Sequence, residues 1–307
     1  MVRSSTIKRN ARADLPRGNY TNLDKVYWPS DGYTKGDMLR YYHRVAAFIL
    51  PHLNDRPMSL HRHPNGIKGQ SFFQKDVSKQ PPPDWVNTVT IRSDSDGKNV
   101  RYVVCQDEAT LLYLANLGCI EMNPWNSRVG ALDHPDYAII DLDPQDVPFS
   151  IAVEVAKQVR QILEKAGAEC YCKTSGKRGL HVCVPLAARY SYDQARSFAE
   201  IIARLVHDRL PETTSVIRNP AQRRKKVYID FLQNSRGQTM AAPYSLRPVP
   251  KAQASAPLQW REVNGKLNPS CFTIETMPRR LDKLGDLWAP VLGQAIDLEK
   301  CLNNLPA

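Results

Sequence analysis

The sequence predicts an α+β protein in which a split β-α-β-β-α-β module, of the ferredoxin-like or RRM-like type, packs with an N-terminal mixed α/β module. From Ala138 onward, apolar runs rich in branched residues and two amphipathic stretches follow in the order strand, helix, strand, strand, helix, strand. Both helices begin at residues that favour a helix start. The 307 residues are enough for one large domain or for two lobes that share a cleft.

The N-terminal half begins with a helix. The segment Thr34-Lys35-Gly36-Asp37 resembles a capping box, and apolar residues at helical spacing follow it as far as Pro51, where we expect the helix to end. Further elements are predicted as strands near 59–62 and 71–74, a hairpin joining 86–92 to 100–104, and a helix over 107–117 closed by Gly118.

The second half supplies the β-α-β-β-α-β module. The apolar run from Tyr137 should form its first strand, and Pro144 should stop that strand. Ser150 is expected to cap the first helix, and Ser191 with Gln194 forms a capping box for the second. In this topology the first and third strands are usually central neighbours, and the second and fourth flank them. The predicted ranges are helices over 150–166 and 191–210, and strands over 168–172, 182–186 and 227–232.

Two acids, Asp141 and Asp143, end the first strand of this module. Side chains two apart on a strand project from the same face, so both carboxylates should lie close together. Two such acids repel unless a cation lies between them, and oxygen ligands suit Mg²⁺ or Mn²⁺. The alternative interpretation of such a pair is loop capping or a solvated edge. The pair alone therefore predicts a metal site only if other segments support it.

A glycine-rich basic turn lies between the second and third strands of the module. Gly176 and Gly179 permit close approach of backbone N–H groups to an anion, and Ser175, Lys177 and Arg178 add further donors. His181 follows just inside the returning strand. The pattern predicts a phosphate site, and a plain exposed hairpin turn is the alternative.

A third acid, Asp230, lies in the apolar run of the last strand. A charge in such a strand is costly unless it is paired or bound to metal. In the predicted strand order, the acid pair, the basic turn and Asp230 can all face one side of one sheet. Their convergence predicts a site that holds both metal and phosphate.

The net charge agrees with a polyanionic substrate. The chain has 42 Lys and Arg against 31 Asp and Glu, a formal net charge of +11, which favours polyphosphates or nucleic acid. Basic clusters run through Arg223-Arg224-Lys225-Lys226 and through Lys8, Arg9, Arg12 and Arg17. Each cluster is also compatible with an ordinary solvated loop.

Other classes of protein are disfavoured by the sequence. There is no run of eighteen apolar residues that could span a membrane, and no apolar signal core at the N-terminus, so we expect a cytoplasmic protein. Seven cysteines without a CxxC motif argue against a disulfide framework or a structural zinc. Cys170, Cys172 and Cys183 are expected to be core residues. We expect one domain over 1–307, with an N-terminal module at 1–130, a second module that contains the acids and the basic turn at 131–250, and a C-terminal helical tail at 251–307.

These motifs together resemble a known family. Asp141-Leu142-Asp143-Pro144, the turn from Ser175 to His181 and the strand acid Asp230 are similar to the three motifs of the archaeo-eukaryotic primase superfamily. Within it, the chain resembles the polymerase domain of bacterial ATP-dependent ligase D and its stand-alone relatives in non-homologous end joining. That resemblance covers nearly the whole chain and includes 24–29, 34–37, 64–66, 72–75, 233–234 and 242–247. It implies a primase-polymerase fold.

The resemblance also implies roles for residues of the nucleotide site. Asp141, Asp143 and Asp230 would hold two Mn²⁺ or Mg²⁺ ions for nucleotidyl transfer. Two family residues are replaced here: His61 stands where relatives have a triphosphate-contacting lysine, and Asn123 stands where a histidine is common. Arg62 is expected to take over the charge lost at His61. The residues expected to bind the nucleotide are Ser175, Arg178, His181, Gln233, Arg247, His61 and Asn123.

Further positions match DNA-binding residues of the family. Lys25 and Lys35 would recognise a 5′-phosphate, and Arg223 would help to place the primer terminus. Phe72 and Phe73 would stack on template bases, although we expect at least one of these rings to lie in the core. The loop near residues 93–98 matches one that helps two DNA ends pair.

The function implied is template-dependent polymerisation that fills short gaps and extends 3′ ends during double-strand break repair, with a preference for ribonucleotides. NTPs or dNTPs and broken or gapped DNA carrying a 5′-phosphate would be the substrates, and a Ku-type end-binding protein and an ATP-dependent DNA ligase the partners. Two alternatives remain open: a primase that starts chains without a primer, and a non-catalytic protein that bridges DNA ends.

Overall fold

The computed structural model describes residues 15–94 and 97–305 and contains two larger sheets and one small one. In the N-terminal part, a two-stranded sheet precedes a long helix, and a five-stranded sheet follows it with the order β4-β3-β6-β5 and β7 also paired to β3. The elements are β1 (Val26–Trp28), β2 (Tyr33–Thr34), α1 (Lys35–Leu53), β3 (Pro57–Arg62), β4 (Phe72–Gln74), β5 (Thr88–Arg92), β6 (Asn99–Val104), α2 (Glu108–Asn116) and β7 (Cys119–Pro124).

Helix α1 starts as predicted and ends later than predicted. The hydroxyl of Thr34 accepts a hydrogen bond from the N–H of Asp37, and the carboxylate of Asp37 accepts one from the N–H of Thr34. The two bonds make a complete capping box. The expected end at Pro51 is wrong, because the helix continues to Leu53. Pro51 lies in the last turn and leaves only one helix bond unmade. Burial of His52 and Leu53 keeps that turn helical.

The second half contains the six-stranded sheet, whose order is β11-β12-β8-β10-β9-β13. Its central part, β12-β8-β10-β9, has the first and third module strands in the middle and the second and fourth outside, so the predicted ferredoxin-like order is confirmed. The elements are β8 (Tyr137–Gln145), α3 (Phe149–Ala166), β9 (Tyr171–Thr174), β10 (Leu180–Pro185), α4 (Tyr192–Arg209), β11 (Thr214–Ser215), β12 (Lys226–Asp230), β13 (Pro257–Leu258), α5 (Thr276–Leu284) and α6 (Leu298–Asn303).

In this half one predicted helix start is confirmed, whereas another helix start and one strand end were wrong. Ser191 caps α4 in a capping box with Gln194, as predicted. Ser150 does not cap α3, because the helix already begins after Pro148, whose fixed φ suits a helix entry. Pro144 does not stop β8, which runs to Gln145. Strand β10 pairs with β8 only as far as Leu142, so the missing N–H of Pro144 faces no strand on that side.

The two faces of the six-stranded sheet have different neighbours. Ile140 and Leu142 point into an apolar core with helices α3 and α4. Ile139 and Cys183 point the other way, into a core shared with α1, the five-stranded sheet and apolar residues of the C-terminal part. Since side chains alternate along a strand, Asp141 and His181 share the face of Ile139 and Cys183. The polar side chains therefore lie between the sheet and the N-terminal part.

The C-terminal stretch, 251–307, differs from the predicted helical tail. It contributes β13 to the six-stranded sheet, where Pro257 pairs with Lys173, and it carries α5 and α6 together with short 3₁₀ turns. Met277 and Trp288 are buried in the core that contains α1. Cys170, Cys172 and Cys183 are buried, as predicted. In the described ranges no helix is both long and apolar enough to cross a bilayer.

Candidate active site

A straight row of four polar side chains crosses the six-stranded sheet. Asp230 on β12 lies opposite Asp141 on β8, Asp141 lies opposite His181 on β10, and His181 lies opposite Lys173 on β9. Directly opposed residues project from the same face of a sheet. We call these four residues the polar row, and its members meet because the ladder register aligns them.

Asp143 lies two residues further along β8, on the same face, opposite Tyr228. The basic turn closes over this point. At Gly179 a Cβ would collide with the carbonyl oxygen of Leu142, so only glycine permits the approach. Gly176 has φ +73°, and a Cβ there would press on Ser255 and Arg247. Glycine at both positions lets the turn pack tightly beside the acids.

The acids repel one another. Burial, then the charges of Asp143 and Asp230, raise the pKa of Asp141 well above its usual value. Burial, then the charge of Asp230, raises the pKa of Asp143, whose side chain stays exposed. The buried Oδ1 of Asp141 has no hydrogen-bond partner within the described residues, and its neighbour, Nε2 of His181, is 3.4 Å away. Unpaired carboxylate oxygens of this kind fit a hard divalent cation.

The donor set fits Mg²⁺ or Mn²⁺ in a particular way. Within residues 15–94 and 97–305, no three His, Cys, Asp or Glu side chains are already grouped as a complete metal site. Magnesium sites in phosphoryl-transfer enzymes typically use one or two carboxylates and complete the coordination with substrate phosphates. Asp141 and Asp143, with Asp230 opposite Asp141 in the sheet, would supply the protein part of such a site.

A cavity of about 270 Å³ opens over the acids. Six of the seven residues predicted to bind the nucleotide line it, and His61 does not. Lys177 of the basic turn also lines it, as do Thr239, Met240 and Ala241, which were not predicted. The predicted lining residues are Asn123, Ser175, Arg178, His181, Gln233 and Arg247. A larger surface cavity of about 610 Å³, between α1 and α5, contains none of the predicted residues.

Ser175 shapes the basic turn. Its hydroxyl oxygen accepts from the N–H of Lys177 at 3.2 Å and from the N–H of Gly179 at 3.0 Å. Both N–H groups are thereby paired within the turn, while the hydroxyl proton of Ser175 stays available to a ligand in the cavity. Arg178 and Arg247 supply positive charge at the same cavity.

Glu121 is a functional candidate that sequence reasoning missed. It is buried on β7, and its carboxylate lies 3.0 Å from Nδ1 of His61, 3.1 Å from Nζ of Lys177 and 3.0 Å from Nε of Arg247. Burial alone would raise the pKa of Glu121, but the hydrogen bond from His61 and the charges of Arg247 and Lys177 lower it to about 2. An acid within an apolar strand was the signal that could have found it, as it found Asp230.

His61 joins Glu121 to the surface of the five-stranded sheet. It lies opposite Glu121 on β7 and opposite Phe73 on β4, and its ring stacks on Phe73 at 4.1 Å and 10°. We call Phe73, His61 and Glu121 the Glu121 row. Arg62 does not replace the lost charge, because the next side chain on a strand points the other way. It bonds to Gln74 and to the carbonyl of Leu117 instead.

Comparison with known proteins decides the family. The family described as the LigD primase-polymerase domain matches residues 34–288. The chain belongs to this family. A bifunctional non-homologous end joining protein LigD of Bacillus subtilis is 33% identical over 279 residues, which cover 90% of this chain and 44% of that protein. A multifunctional LigD of Pseudomonas aeruginosa is 31% identical over 268 residues, which cover 86% of this chain and 32% of that protein.

A solved structure agrees. The polymerase domain of Mycobacterium tuberculosis ligase D, in complex with DNA, matches with a TM-score of 0.83 and 30% sequence identity, covering 91% of this chain and 99% of that chain. The expected primase-polymerase fold is thereby confirmed, and the family is one of nucleotidyltransferases. This LigD primase-polymerase chain spans less than half the length of the two curated relatives.

The two phenylalanines of this LigD primase-polymerase chain both lie at the surface. Phe72 is 45% exposed and Phe73 is 64% exposed, so the expectation that one ring belongs to the core is wrong. Strand β4 is the edge of its sheet and only three residues long, and each of its residues is exposed or half-buried. Arg62 lies over the Phe72 ring at 5.3 Å.

Lys25 and Lys35 come together through the backbone. The N–H of Lys35 donates to the carbonyl of Lys25 at 2.8 Å. Lys25 is exposed and donates to Asn65 at 2.5 Å, whereas Lys35 is buried and donates to the carbonyl of Thr21 at 2.8 Å. Burial, then the charge of Lys25, lowers the pKa of Lys35 to about 8. Two neighbouring cations of this kind favour an anionic ligand.

Arg223 lies next to the acids. Its guanidinium stacks on the Tyr228 ring at 3.8 Å, and its charge acts to lower the pKa of Asp143. Its Nε and Nη1 are buried without hydrogen-bond partners in the described structure. Two other predicted features, the cluster at Lys8, Arg9 and Arg12 and the tip of the 93–98 loop at 95–96, lie outside the described residues.

Proposed function

We propose that this chain is a template-dependent DNA/RNA polymerase that fills short gaps and extends 3′ ends during non-homologous end joining of double-strand breaks. The observation that carries the proposal is that Asp141 and Asp143, with Asp230 opposite Asp141 in the sheet, meet a basic glycine turn at one cavity. Family membership supports it. The Bacillus subtilis relative is an end-joining protein and the Mycobacterium tuberculosis polymerase domain is bound to DNA, and we extend both properties to this chain.

Asp141, Asp143 and Asp230 would hold the divalent ions, which we propose to be two Mn²⁺ or Mg²⁺. When bound, such ions neutralise the charge that develops as a primer 3′-hydroxyl attacks the α-phosphate of a nucleotide. Asp141 and Asp143 are two residues apart on β8, so both carboxylates project from one face of the strand. A triphosphate in the cavity that they line would lie against both.

The other side of the cavity would bind the triphosphate. Arg178 and Arg247 contribute charge, and the hydroxyl of Ser175 donates to a phosphate oxygen. Glu121 holds Arg247 and Lys177 in place before the nucleotide arrives. Gln233 and Asn123 line the remaining wall. His61 would act through Glu121 rather than by touching the nucleotide.

The N-terminal part would bind DNA. We propose that Lys25 and Lys35 recognise the 5′-phosphate across a gap, that Phe72 and Phe73 stack on template bases, and that Arg223 places the primer terminus. The division into modules at 1–130, 131–250 and 251–307 follows these roles. Ribonucleotide preference, a Ku-type partner and a DNA ligase partner are proposed from the family resemblance, and this function places the protein on the nucleoid.

Primer extension on gapped DNA tests the proposal. Extension is measured with ribo- and deoxyribonucleotides, with Mn²⁺ and Mg²⁺ in turn, for the native chain and for Asp141→Ala. We expect Asp141→Ala to abolish extension and to retain DNA binding by fluorescence anisotropy. Extension by Asp141→Ala would contradict the metal assignment. Synthesis on an unprimed template would favour a primase, and DNA bridging without any synthesis would favour an end-bridging protein.

The 5′-phosphate is tested separately. Affinity for gapped DNA is compared with and without a 5′-phosphate for the native chain, for Lys25→Ala and for Lys165→Ala, which removes an exposed lysine at the end of α3 on the opposite face of the sheet. One charge-assisted contact corresponds to roughly tenfold in affinity. We expect that loss only with Lys25→Ala and only with phosphorylated DNA. Equal affinity of the native chain for both DNAs would remove the proposed role.

A further inference from the structure

A buried lysine, Lys173, ends the polar row, and the proposed function gives it no role. Its side chain is fully buried, and its Nζ donates to three neutral acceptors: Nδ1 of His181 at 2.8 Å, the carbonyl of Ala241 at 3.0 Å and Oγ of Ser255 at 2.7 Å. An ammonium group has three N–H donors, so each has a partner. A charge buried among neutral partners is costly, and a hydrophobic side chain would fill the same space without that cost.

The contact with His181 determines which ring nitrogen carries the proton. An ammonium group only donates, so Nδ1 accepts and the ring proton lies on Nε2. Nε2 is the nitrogen that lies 3.4 Å from Oδ1 of Asp141. The hydroxyl of Ser255 donates to the carbonyl of Thr174 at 2.8 Å, so its oxygen is an acceptor toward Lys173 and the lysine geometry is held.

We propose that Lys173 is a positioning residue whose ammonium holds His181 with its proton on Nε2 and directs that donor toward Asp141 and toward nucleotide phosphates in the cavity. The identity of the ligand rests on the proposed function, and the position of the proton does not. Lys173 does not line the cavity, whereas His181 does, so Lys173 acts through His181. The cross-strand register makes this possible, because it aligns Lys173, His181 and Asp141 in one row.

A purely structural role for Lys173 makes a different prediction. In that case the lysine would only tie β9 to the segments of Ala241 and Ser255, and its removal would lower stability without changing His181. Thr174→Val is a matched control. It removes hydrogen bonds between β9 and residues 254 and 256, within the same strand, and leaves His181 untouched.

The first experiment locates the proton by ¹⁵N NMR of histidine-labelled protein, with His181 assigned by comparison with His181→Ala. Burial lowers the pKa of Lys173 to about 7, so spectra are recorded at pH 6, where the lysine is protonated. We expect the Nε2–H pattern in the native chain and in Thr174→Val, and a mixed or Nδ1–H pattern in Lys173→Met. An Nδ1–H pattern in the native chain, or an unchanged pattern in Lys173→Met, would overturn the proposal. The native measurement does not depend on whether Lys173→Met folds.

The second experiment is a double-mutant cycle on primer extension. Loss of a residue that orients a catalytic-site histidine typically costs roughly 10- to 100-fold in activity. We expect Lys173→Met to lower kcat/KM by that factor in the native background and by less than about threefold in His181→Ala. Equal losses in both backgrounds would overturn the proposal. A chain that shows the Nε2–H pattern but never extends a primer contradicts the proposed function and leaves the Lys173 assignment standing.

Discussion

Asp141 and Glu121 are two buried acids that both lie near Arg247, and they differ in which charges surround them. Asp141 faces two other acids, and these neighbours add to the burial that raises its pKa. Glu121 is just as inaccessible to solvent but contacts His61, Lys177 and Arg247, and its pKa falls to about 2. Burial is common to both, so the neighbours decide the sign. An acid surrounded by acids favours a cation from outside, whereas an acid surrounded by cations holds those cations in place.

The largest expected effect distinguishes the acids that would bind metal from an acid nearby that does not. Asp143→Asn should lower kcat/KM by about 10³-fold, because several kcal/mol of transition-state stabilisation would be lost. Asp146→Asn is the matched control, since Asp146 follows β8, is exposed and has φ +54°, which asparagine tolerates. Primer extension measures both. Equal losses in the two variants would show that charge near the cavity matters and that the strand position does not.

Glu121→Gln tests the acid that is surrounded by cations. Without the negative charge of Glu121, the side chains of Arg247 and Lys177 lose the ion pairs that hold them, and the nucleotide must order them when it binds. We expect the KM for the nucleotide to rise by roughly tenfold, with a smaller change in kcat. The free energy of unfolding should fall by about 3 kcal/mol because the buried guanidinium of Arg247 loses its partner. Steady-state kinetics and urea unfolding measure these. An unchanged KM would mean that Glu121 serves stability alone.

Phe73 tests whether the Glu121 row reaches the template. Base–aromatic stacking is worth about 1–3 kcal/mol per base, so Phe73→Ala should weaken binding of a single-stranded overhang by roughly tenfold. Trp85→Ala is the control, because Trp85 is 53% exposed but packs on Tyr113, away from the row. Fluorescence anisotropy measures both affinities. A larger loss from Trp85→Ala would move the template path to that side of the five-stranded sheet.

The smallest expected effect is on stability and has opposite signs for the two acids. The pKa of Asp141 is higher in the folded chain than in the unfolded chain, so its contribution to stability is present below the unfolded pKa and is lost as the pH rises. At pH 8 in chelator, Asp141→Asn should therefore stabilise the protein by about 1 kcal/mol. The pKa of Glu121 is lower in the folded chain than in the unfolded chain, so its contribution to stability is present above the unfolded pKa and is lost as the pH falls toward about 2.

Urea unfolding at pH 8 and at pH 4, for both variants in chelator, measures these slopes. Destabilisation by Asp141→Asn at pH 8 would contradict the repulsion among the acids. Added Mn²⁺ should stabilise the native chain more than Asp141→Asn, because a ligand stabilises the state that binds it.

Local errors in the sequence interpretation have a common cause. Pro51 was expected to end α1, but burial of the next two residues keeps the helix going to Leu53. Pro144 was expected to end β8, but no strand lies on the side where its N–H is missing, and β8 continues to Gln145. Phe72 and Phe73 were judged by hydrophobicity, but β4 is a bare edge strand. Arg62 was expected to replace a charge, but strand alternation turns it away from Glu121. Each error concerns a neighbour that is distant in sequence.

The sequence by itself determined the strand order of the catalytic module, the acid pair and the basic turn, because hydrophobic period, capping residues and glycines act over a few neighbouring positions. The same reasoning that selected Asp230 also applies to Glu121, which lies within an equally apolar strand. Only the tertiary structure decided the register that aligns Lys173, His181, Asp141 and Asp230, and the contacts that join Glu121 to Arg247. Charges act over a few ångströms, and residues far apart in sequence come that close only when the sheets pack.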